Sequence, residues 1–224
     1  MKKILPGIVI LALFAASCNK NDDPTPVSPD PDPYMTLTSG SSWVYLLTDL
    51  EAGGATSTYN LVSTNRDTML QGNLVFHVFD KSTGNKEYYN ITDNKYIVYR
   101  KLHPLLGDYT KFVRYLDLTN NSWSEDFNVV VNGMPQTLNL KDTVLERNVS
   151  RVVNGTTYTK VICVKTDYSY PSISPNYFQG YVKSYYAPKY GLIEDSTRFV
   201  LLPNVSGFTL KATETTKLMS ADLH

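Results

Sequence analysis

Short runs of alternating or apolar residues, separated by turn residues, make up most of the chain after residue 33. Examples are SSWVYLLTD at 41–49, LVFHVFD at 74–80 and KYIVYRK at 95–101, with Gly53-Gly54 and Asp93-Asn94 among the turns. A period of two that is rich in tyrosine, valine and threonine is typical of β-strands. About a dozen such runs occur, and we find no amphipathic helix longer than about two turns.

This pattern predicts an all-β domain over residues 34–224. Its connections are mostly too short for parallel crossovers, so consecutive strands should pair as an antiparallel meander. A sheet of about a dozen strands must curl, split or close, and we expect a curved sheet, a half-barrel or a sandwich. Ser42-Trp43 and Ser122-Trp123 begin two halves 80 residues apart, so a two-lobed domain is a further hypothesis, although generic hairpins produce the same spacing.

The longest apolar run lies at the N-terminus, within residues 1–17. Two lysines, an apolar stretch and small residues before Cys18 are typical of a secretory signal peptide, and the run is too short to span a bilayer comfortably. The cleavage site resembles the lipobox of bacterial lipoproteins. This resemblance implies removal of residues 1–17 and acylation of Cys18, with membrane affinity growing by about 0.8 kcal/mol per buried methylene.

Residues 18–33 combine Cys18 with a tether that holds five prolines and four aspartates. Such a segment buries too little apolar surface to fold, and it should form an extended spacer. Asp22 and Asp23 resemble the surface-export signal of Bacteroidota lipoproteins. The resemblance implies an outer-membrane lipoprotein that faces the cell exterior, with the periplasmic face as the alternative.

Charge and cysteine content exclude two further features of the domain, a nucleic-acid partner and an internal disulfide. The predicted domain carries 18 basic and 17 acidic residues and has no basic run with interleaved aromatics, so we expect no nucleic-acid partner. Cys163 is its only cysteine, which excludes a disulfide within the domain. Because Cys163 alternates in phase with Val161 and has no nearby histidine or carboxylate, we expect a core residue.

Catalytic motifs are not found in the sequence. His77, His103 and His224 are scattered, and no HExxH, GxSxG or phosphate-binding glycine loop occurs. We therefore predict no catalytic residue, no metal site and no cofactor, and a protein that is not an enzyme. An enzyme whose site forms only on folding stays as an alternative.

Two segments suggest binding. Residues 167–178, DYSYPSISPNYF, offer four aromatic rings on a proline-stiffened loop, which suits a glycan or a protein partner: Tyr168, Tyr170, Tyr177 and Phe178. Alternatively, these rings fold back and cap one end of the sheet. Residues 102–107, LHPLLG, either line a cavity mouth for a lipid or plug the core, and the first option favours an envelope lipid carrier.

Three short motifs concern modification. Asp67-Thr68-Met69, Asp142-Thr143-Val144 and Asp195-Ser196-Thr197 resemble the O-glycosylation site of exported Bacteroidota proteins. The predicted acceptors are Thr68, Thr143 and Ser196. Asp-Thr pairs are also ordinary turn chemistry.

The segments LTSGSSWVY at 37–45 and YYAPKYGLIEDS at 185–196 are similar to the opening and closing signatures of an uncharacterised Bacteroidota lipoprotein family. The matching residues are Gly40, Trp43, Tyr45, Tyr185, Tyr186, Gly191 and Leu192. The resemblance implies a β-rich domain on a lipidated tether and carries no assigned activity. The leading hypothesis is therefore a surface-exposed lipoprotein that acts as a non-catalytic binding or interaction module.

Overall fold

The computed structural model describes residues 32–70, 72–131, 133–174, 177–202 and 209–224. The predicted signal peptide and Cys18 lie outside the described residues, as does nearly all of the tether. Within the described ranges the chain forms one 3-10 turn, Pro104–Leu106, and twelve strands. They are β1 Ser42–Asp49, β2 Ala55–Leu70, β3 Leu74–Lys81, β4 Lys86–Thr92, β5 Lys95–Lys101, β6 Thr110–Asp117, β7 Ser122–Val131, β8 Met134–Val153, β9 Thr156–Ser169, β10 Phe178–Ala187, β11 Gly191–Leu201 and β12 Leu210–Asp222.

All twelve strands belong to one antiparallel sheet with the order β6-β5-β4-β3-β2-β1-β12-β11-β10-β9-β8-β7. Each strand pairs with its neighbour in sequence, except that β1 also pairs with β12 and that β6 and β7 form the two edges. The sheet curls into a nearly closed barrel. The prediction of an all-β antiparallel meander is confirmed, and both halves of the chain belong to this one sheet.

The pairing of β1 with β12 joins the two ends of the described chain. It runs from Ser42 opposite Asp222 to Asp49 opposite Glu214, and a bulge between Val44 and Tyr45 adds local twist. Curvature of this kind lets a twelve-stranded sheet close upon itself instead of splitting into two layers.

The edges β6 and β7 are joined by side chains instead of a backbone ladder. The Tyr109 hydroxyl donates to the Val130 carbonyl at 2.8 Å and accepts from the Val130 N–H at 2.6 Å. Trp123 Nε1 donates to the Arg114 carbonyl at 2.8 Å, and the Arg114 N–H donates to Glu125 at 3.1 Å. We call this junction the seam of the barrel.

The segment LHPLLG closes one end of the barrel as a plug, one of the two interpretations of its sequence. Leu102 and Leu106 are buried, and the 3-10 turn between them is capped by His103, whose Nδ1 accepts from the Leu105 N–H at 3.2 Å. His103 also packs its ring against Phe199, with ring centroids 4.9 Å apart. The plug therefore belongs to the core.

Glycine is required where the N-terminal segment crosses the start of β11. Gly191 has φ +69°, and a Cβ atom there would lie 2.6 Å from the sulfur of Met35. Gly191 therefore permits the tight turn that follows Tyr190. Cys163 is fully buried on β9, as predicted.

Candidate functional site

A small polar cavity lies inside the barrel. Its volume is about 80 Å³, and strands from both halves of the sheet, β1 to β6 and β10 to β11, contribute to its wall. Phenol groups and four charged side chains line it together with a few apolar residues: Met35, Tyr45, Tyr59, Leu61, Lys81, Glu87, Tyr89, Val98, Arg100, Tyr115, Tyr186, Leu192 and Asp195. Charged groups in a barrel interior are costly, so their arrangement needs a physical explanation.

Arg100 is the central cation of this cavity. The alternation of β5 places Tyr96, Val98 and Arg100 on one face, and the first two are buried in the core. Burial alone would lower the pKa of Arg100, but Glu87 and the nearby tyrosines, including Tyr168, raise it above its ordinary value. Among the described residues, no carboxylate oxygen lies within 4 Å of its guanidinium, which also makes no hydrogen bond.

Glu87 is already satisfied by other partners. Lys81 Nζ lies 3.3 Å from one carboxylate oxygen, and the Tyr89 hydroxyl donates to the other at 2.7 Å. Burial, followed by the charge of Glu87, raises the pKa of Tyr89 well above its usual value, so this phenol stays a neutral donor. Glu87 therefore contributes its field to Arg100 without a direct ion pair.

Asp195 is the second carboxyl group of the cavity wall. Burial raises its pKa to about 6, and this effect exceeds the opposing hydrogen bonds from Thr216 and the charge of Arg100. Thr216 lies directly opposite Asp195 in the pairing of β11 with β12. The carboxyl group is thus held by β12 and still faces the cavity.

Phenol groups complete the wall. Tyr45 donates to the Leu192 carbonyl at 3.0 Å and stacks on Tyr59, with ring centroids 5.1 Å apart. Tyr115 packs against Tyr186 with centroids 5.2 Å apart, and among the described groups its buried hydroxyl has no hydrogen-bond partner. The cavity thus offers a cation without a direct ion pair, neutral phenols and ring faces, which together can hold a small anionic or polar molecule.

The predicted aromatic contacts lie mostly in the core. Tyr168, Tyr170 and Phe178 are buried, and the rings of Tyr170 and Phe178 pack edge to face at 5.0 Å. Tyr177 is 37% exposed. This packing matches the alternative in which the rings cap one end of the sheet, and it leaves only Tyr177 on the surface. The binding role of the four stays a prediction.

The predicted O-glycosylation acceptors lie within strands instead of loops. Thr68 is in β2, Thr143 in β8 and Ser196 in β11, and all three are partly buried. Their modification stays a prediction.

A Ser-His-Asp chain, which the sequence did not reveal, lies across β2 and β3. His77 Nε2 is 2.9 Å from Ser63 Oγ, and His77 Nδ1 is 2.7 Å from Asp67 Oδ1. A register shift in β2 between Ser63 and Asp67 lets both residues reach the same imidazole. The order of contacts is that of a nucleophile, a base and an orienting carboxylate.

Burial and hydrogen bonding in this chain differ from those of a working nucleophile. Ser63 is only 2% exposed, whereas the Asp67 side chain is 61% exposed. The Ser63 hydroxyl has one proton, and it lies 3.0 Å from the Leu37 carbonyl, which can only accept. Because that bond uses the proton, His77 Nε2 must donate to Ser63 instead of accepting from it. The arrangement anchors the segment around Leu37 to the barrel.

Sequence reasoning missed Arg100, Glu87 and Asp195. The signal for Arg100 was present, because a charged residue follows Tyr96 and Val98 on the apolar face of KYIVYRK. In the part of the chain that the structure describes, no group of three or more histidine, cysteine, aspartate or glutamate residues could hold a metal ion. The described residues also include no helix that is long and apolar enough to cross a membrane.

Comparison with known proteins gives a limited result. No family model and no curated protein matches the chain. A proposed lipoprotein from Parabacteroides distasonis ATCC 8503 has a similar structure, with a TM-score of 0.48 and 12% identity over 86% of this chain and 100% of that chain. A proposed exported protein with a YmcC-like fold from Bacteroides fragilis NCTC 9343 gives a TM-score of 0.39 and 7% identity over 85% and 99%. These neighbours from Bacteroidales assign no activity to this chain.

Proposed function

We propose that this protein is a membrane-anchored outer-membrane lipoprotein, attached through Cys18 and facing the cell exterior, whose barrel is a non-catalytic binding module. The ligand site is the interior cavity around Arg100. One observation carries the proposal: Arg100 faces this cavity without an ion pair or hydrogen bond from the described residues. Arg100 is only partly buried, and a ligand that supplies a charged acceptor would give its guanidinium the direct partner that it lacks.

The dimensions of the cavity favour a small polar ligand over a lipid. Pockets for drug-sized molecules have volumes of roughly 300–1,000 Å³ and mostly apolar walls. The cavity here is about 80 Å³, and its wall includes Lys81, Glu87, Arg100 and Asp195. An acyl chain would have to bury these charged groups without replacing their interactions. The lipid-carrier alternative is therefore less well supported.

The test is native mass spectrometry of the full mature chain, purified in detergent from its own membrane. We expect the wild type to retain a small molecule that is released on denaturation, and Arg100→Met to lose it. The control is Lys101→Met, because Lys101 is exposed and pairs with Asp108 at the surface. Absence of a bound molecule in the wild type, or its retention in Arg100→Met, would overturn the interior site.

The Ser63–His77–Asp67 contacts raise acyl transfer at Ser63 as an alternative, which the burial of Ser63 disfavours. The test is labelling of the intact protein with a fluorophosphonate probe, with Ser63→Ala and Ser57→Ala as variant and control. Because Ser63 is buried and its proton is used by Leu37, we expect no labelling of the wild type. Labelling that Ser63→Ala abolishes and Ser57→Ala leaves unchanged would make the protein a serine hydrolase instead.

A further inference from the structure

The charges in the cavity wall restrict the kind of ligand that fits. We infer that the interior site selects a short-chain monocarboxylate, which Arg100 holds inside the barrel. This inference rests on the interior binding site proposed above and adds the chemical class of its ligand.

Arg100 provides the recognition geometry. A guanidinium presents parallel N–H donors in a rigid plane, and a carboxylate matches them with two oxygens. The side chain projects from the interior face of β5, where Tyr96 and Val98 fix the strand in the core. No described carboxylate lies within 4 Å of the guanidinium, so both donors on one edge are available to a ligand.

The other charged side chains in the cavity wall favour a ligand with one negative charge over a ligand with two. The formal charges of Lys81 and Arg100 cancel those of Glu87 and Asp195 in the wall of the cavity. Glu87 is held by Lys81 and Tyr89, and Asp195 by Thr216, so neither neutralises Arg100 directly. A monoanion forms the missing ion pair. A dianion adds a second charge beside two carboxyl groups in a medium of low dielectric constant, where repulsion is strong.

Size and wall chemistry fit a short alkyl chain behind the carboxylate. The volume of about 80 Å³ excludes a long chain. Val98 and Leu192 add apolar surface to the wall, and the rings of Tyr115 and Tyr186 lie against each other at its side. Tyr115 also has a hydroxyl without a partner among the described groups, a second polar atom at this wall that lacks compensation.

The experiment is isothermal titration calorimetry of the full mature chain with three probes. Propionate has the proposed charge and shape, propionamide is its neutral isostere, and sulfate is a dianion. We expect saturable binding of propionate and no measurable binding of propionamide or sulfate. No binding of propionate, or equal binding of propionamide, would overturn the inference.

Variants separate recognition from folding. Arg100→Gln should weaken propionate binding roughly ten- to hundred-fold, the usual loss for hydrogen bonds to a charged group, whereas Lys101→Gln should leave it unchanged. Asp195→Asn removes one negative charge from the wall and should admit sulfate, a gain that a misfolded protein would not give. Unchanged propionate binding in a folded Arg100→Gln, or continued exclusion of sulfate by Asp195→Asn, contradicts the assignment.

Mass spectrometry and calorimetry together distinguish a wrong ligand class from a wrong binding site. If the wild type retains a small molecule that Arg100→Met loses, yet does not bind propionate, then the site stands and the ligand class is wrong. If neither the retained molecule nor propionate depends on Arg100, then the interior site itself is rejected.

Discussion

At the scale of single residues, buried carboxyl groups set how stability should change with pH. Asp142 on β8 is 1% exposed, and one of its oxygens accepts from Thr166 at 2.5 Å while the other has no described partner. Burial, and to a lesser degree the charge of Glu125, raises its pKa to about 7. Asp117 behaves in the opposite way: hydrogen bonds from Asn120 and Thr119 outweigh burial and lower its pKa to about 2.

The raised pKa of Asp142 makes the stability of the fold depend on pH. The unfolded carboxyl group ionises near pH 3.8 and the folded one only near pH 7, so the folded state retains a proton in this window. The contribution of Asp142 to the free energy of unfolding therefore falls as pH rises from about 4 to about 7. Asp142→Asn should be more stable than the wild type at pH 8, by on the order of 2–4 kcal/mol, because each pKa unit corresponds to about 1.4 kcal/mol.

Urea denaturation at pH 5 and pH 8 measures this difference. The advantage of Asp142→Asn should be clearly larger at pH 8. The matched control is Asp108→Asn, whose side chain is 81% exposed, and it should show no such change. An equal advantage of Asp142→Asn at both pH values would contradict the raised pKa.

Gly180 on β10 lies against two phenylalanine rings that leave no room for a side chain. A Cβ atom there would lie 2.4 Å from the ring of Phe199 and 2.9 Å from that of Phe178. Gly180→Ala should therefore destabilise the fold by about 1–3 kcal/mol, the usual cost of overpacking. Thermal denaturation measures it, with Gly180→Ala in a Phe199→Leu background as the control. If the smaller side chain does not relieve the cost, steric overlap is not its cause.

At the scale of strands, the seam between β6 and β7 differs from the other strand junctions because no backbone ladder between described residues stabilises it. Tyr109 forms both hydrogen bonds to Val130, and Lys111 adds a contact to the Asn128 carbonyl at 3.1 Å. The short connection from β6 to β7 is fixed by Asp117, which accepts from both the N–H and the hydroxyl of Thr119. The seam therefore depends on a few side chains, and single substitutions should affect it.

Removal of one hydroxyl tests the seam. Tyr109→Phe loses both hydrogen bonds to Val130, which lies on the exposed edge of the sheet, and should cost about 0.5–1.5 kcal/mol, the usual net value of a hydrogen bond that water can replace. Hydrogen exchange should become faster at Val130 and its neighbours in β7, but not in β1 and β12. Tyr99→Phe is the control, because Tyr99 packs its ring on Phe112 and no hydrogen bond of its hydroxyl is formed with the described residues. Unchanged exchange in β7 would mean that other contacts hold the seam.

At the scale of the whole molecule, the proposed tether decides where the barrel works. Cys18→Ala should remove the acyl anchor and release the protein from the membrane fraction, because stable anchoring needs the acyl chains. The control is Ser17→Ala, which keeps a small residue at the cleavage site and should stay membrane-bound. Fractionation followed by immunoblotting measures both. Membrane retention of Cys18→Ala would contradict lipidation at this residue.

Protease treatment of intact cells tests the orientation of the anchored molecule. Digestion of the tagged wild type without lysis supports the cell exterior, and protection until lysis supports the periplasmic face. A periplasmic marker in the same sample checks that the outer membrane is intact.

The sequence alone determined the secondary structure of the domain and the antiparallel pairing of most neighbouring strands. Alternation with a period of two does not depend on distant residues, and the runs at 41–49, 74–80 and 95–101 correspond to β1, β3 and β5. Short turns then leave antiparallel pairing of neighbours as the natural connection, since a parallel crossover needs more chain. Burial of Cys163 and the need for glycine at position 191 could also be predicted, because both depend on local pattern and backbone conformation.

Only the tertiary structure decided how the two halves of the sheet join and which residues meet inside it. Pairing of β1 with β12 joins residues 165 to 180 positions apart, and no local signal specifies that contact. Arg100, Glu87 and Asp195 come from three strands and share one cavity only because the sheet curls. The aromatic residues near position 170 could equally face solvent or the core by composition alone, and curvature placed three of the four inside. Local pattern determines strands, whereas closure of the sheet determines the interior and the site that it contains.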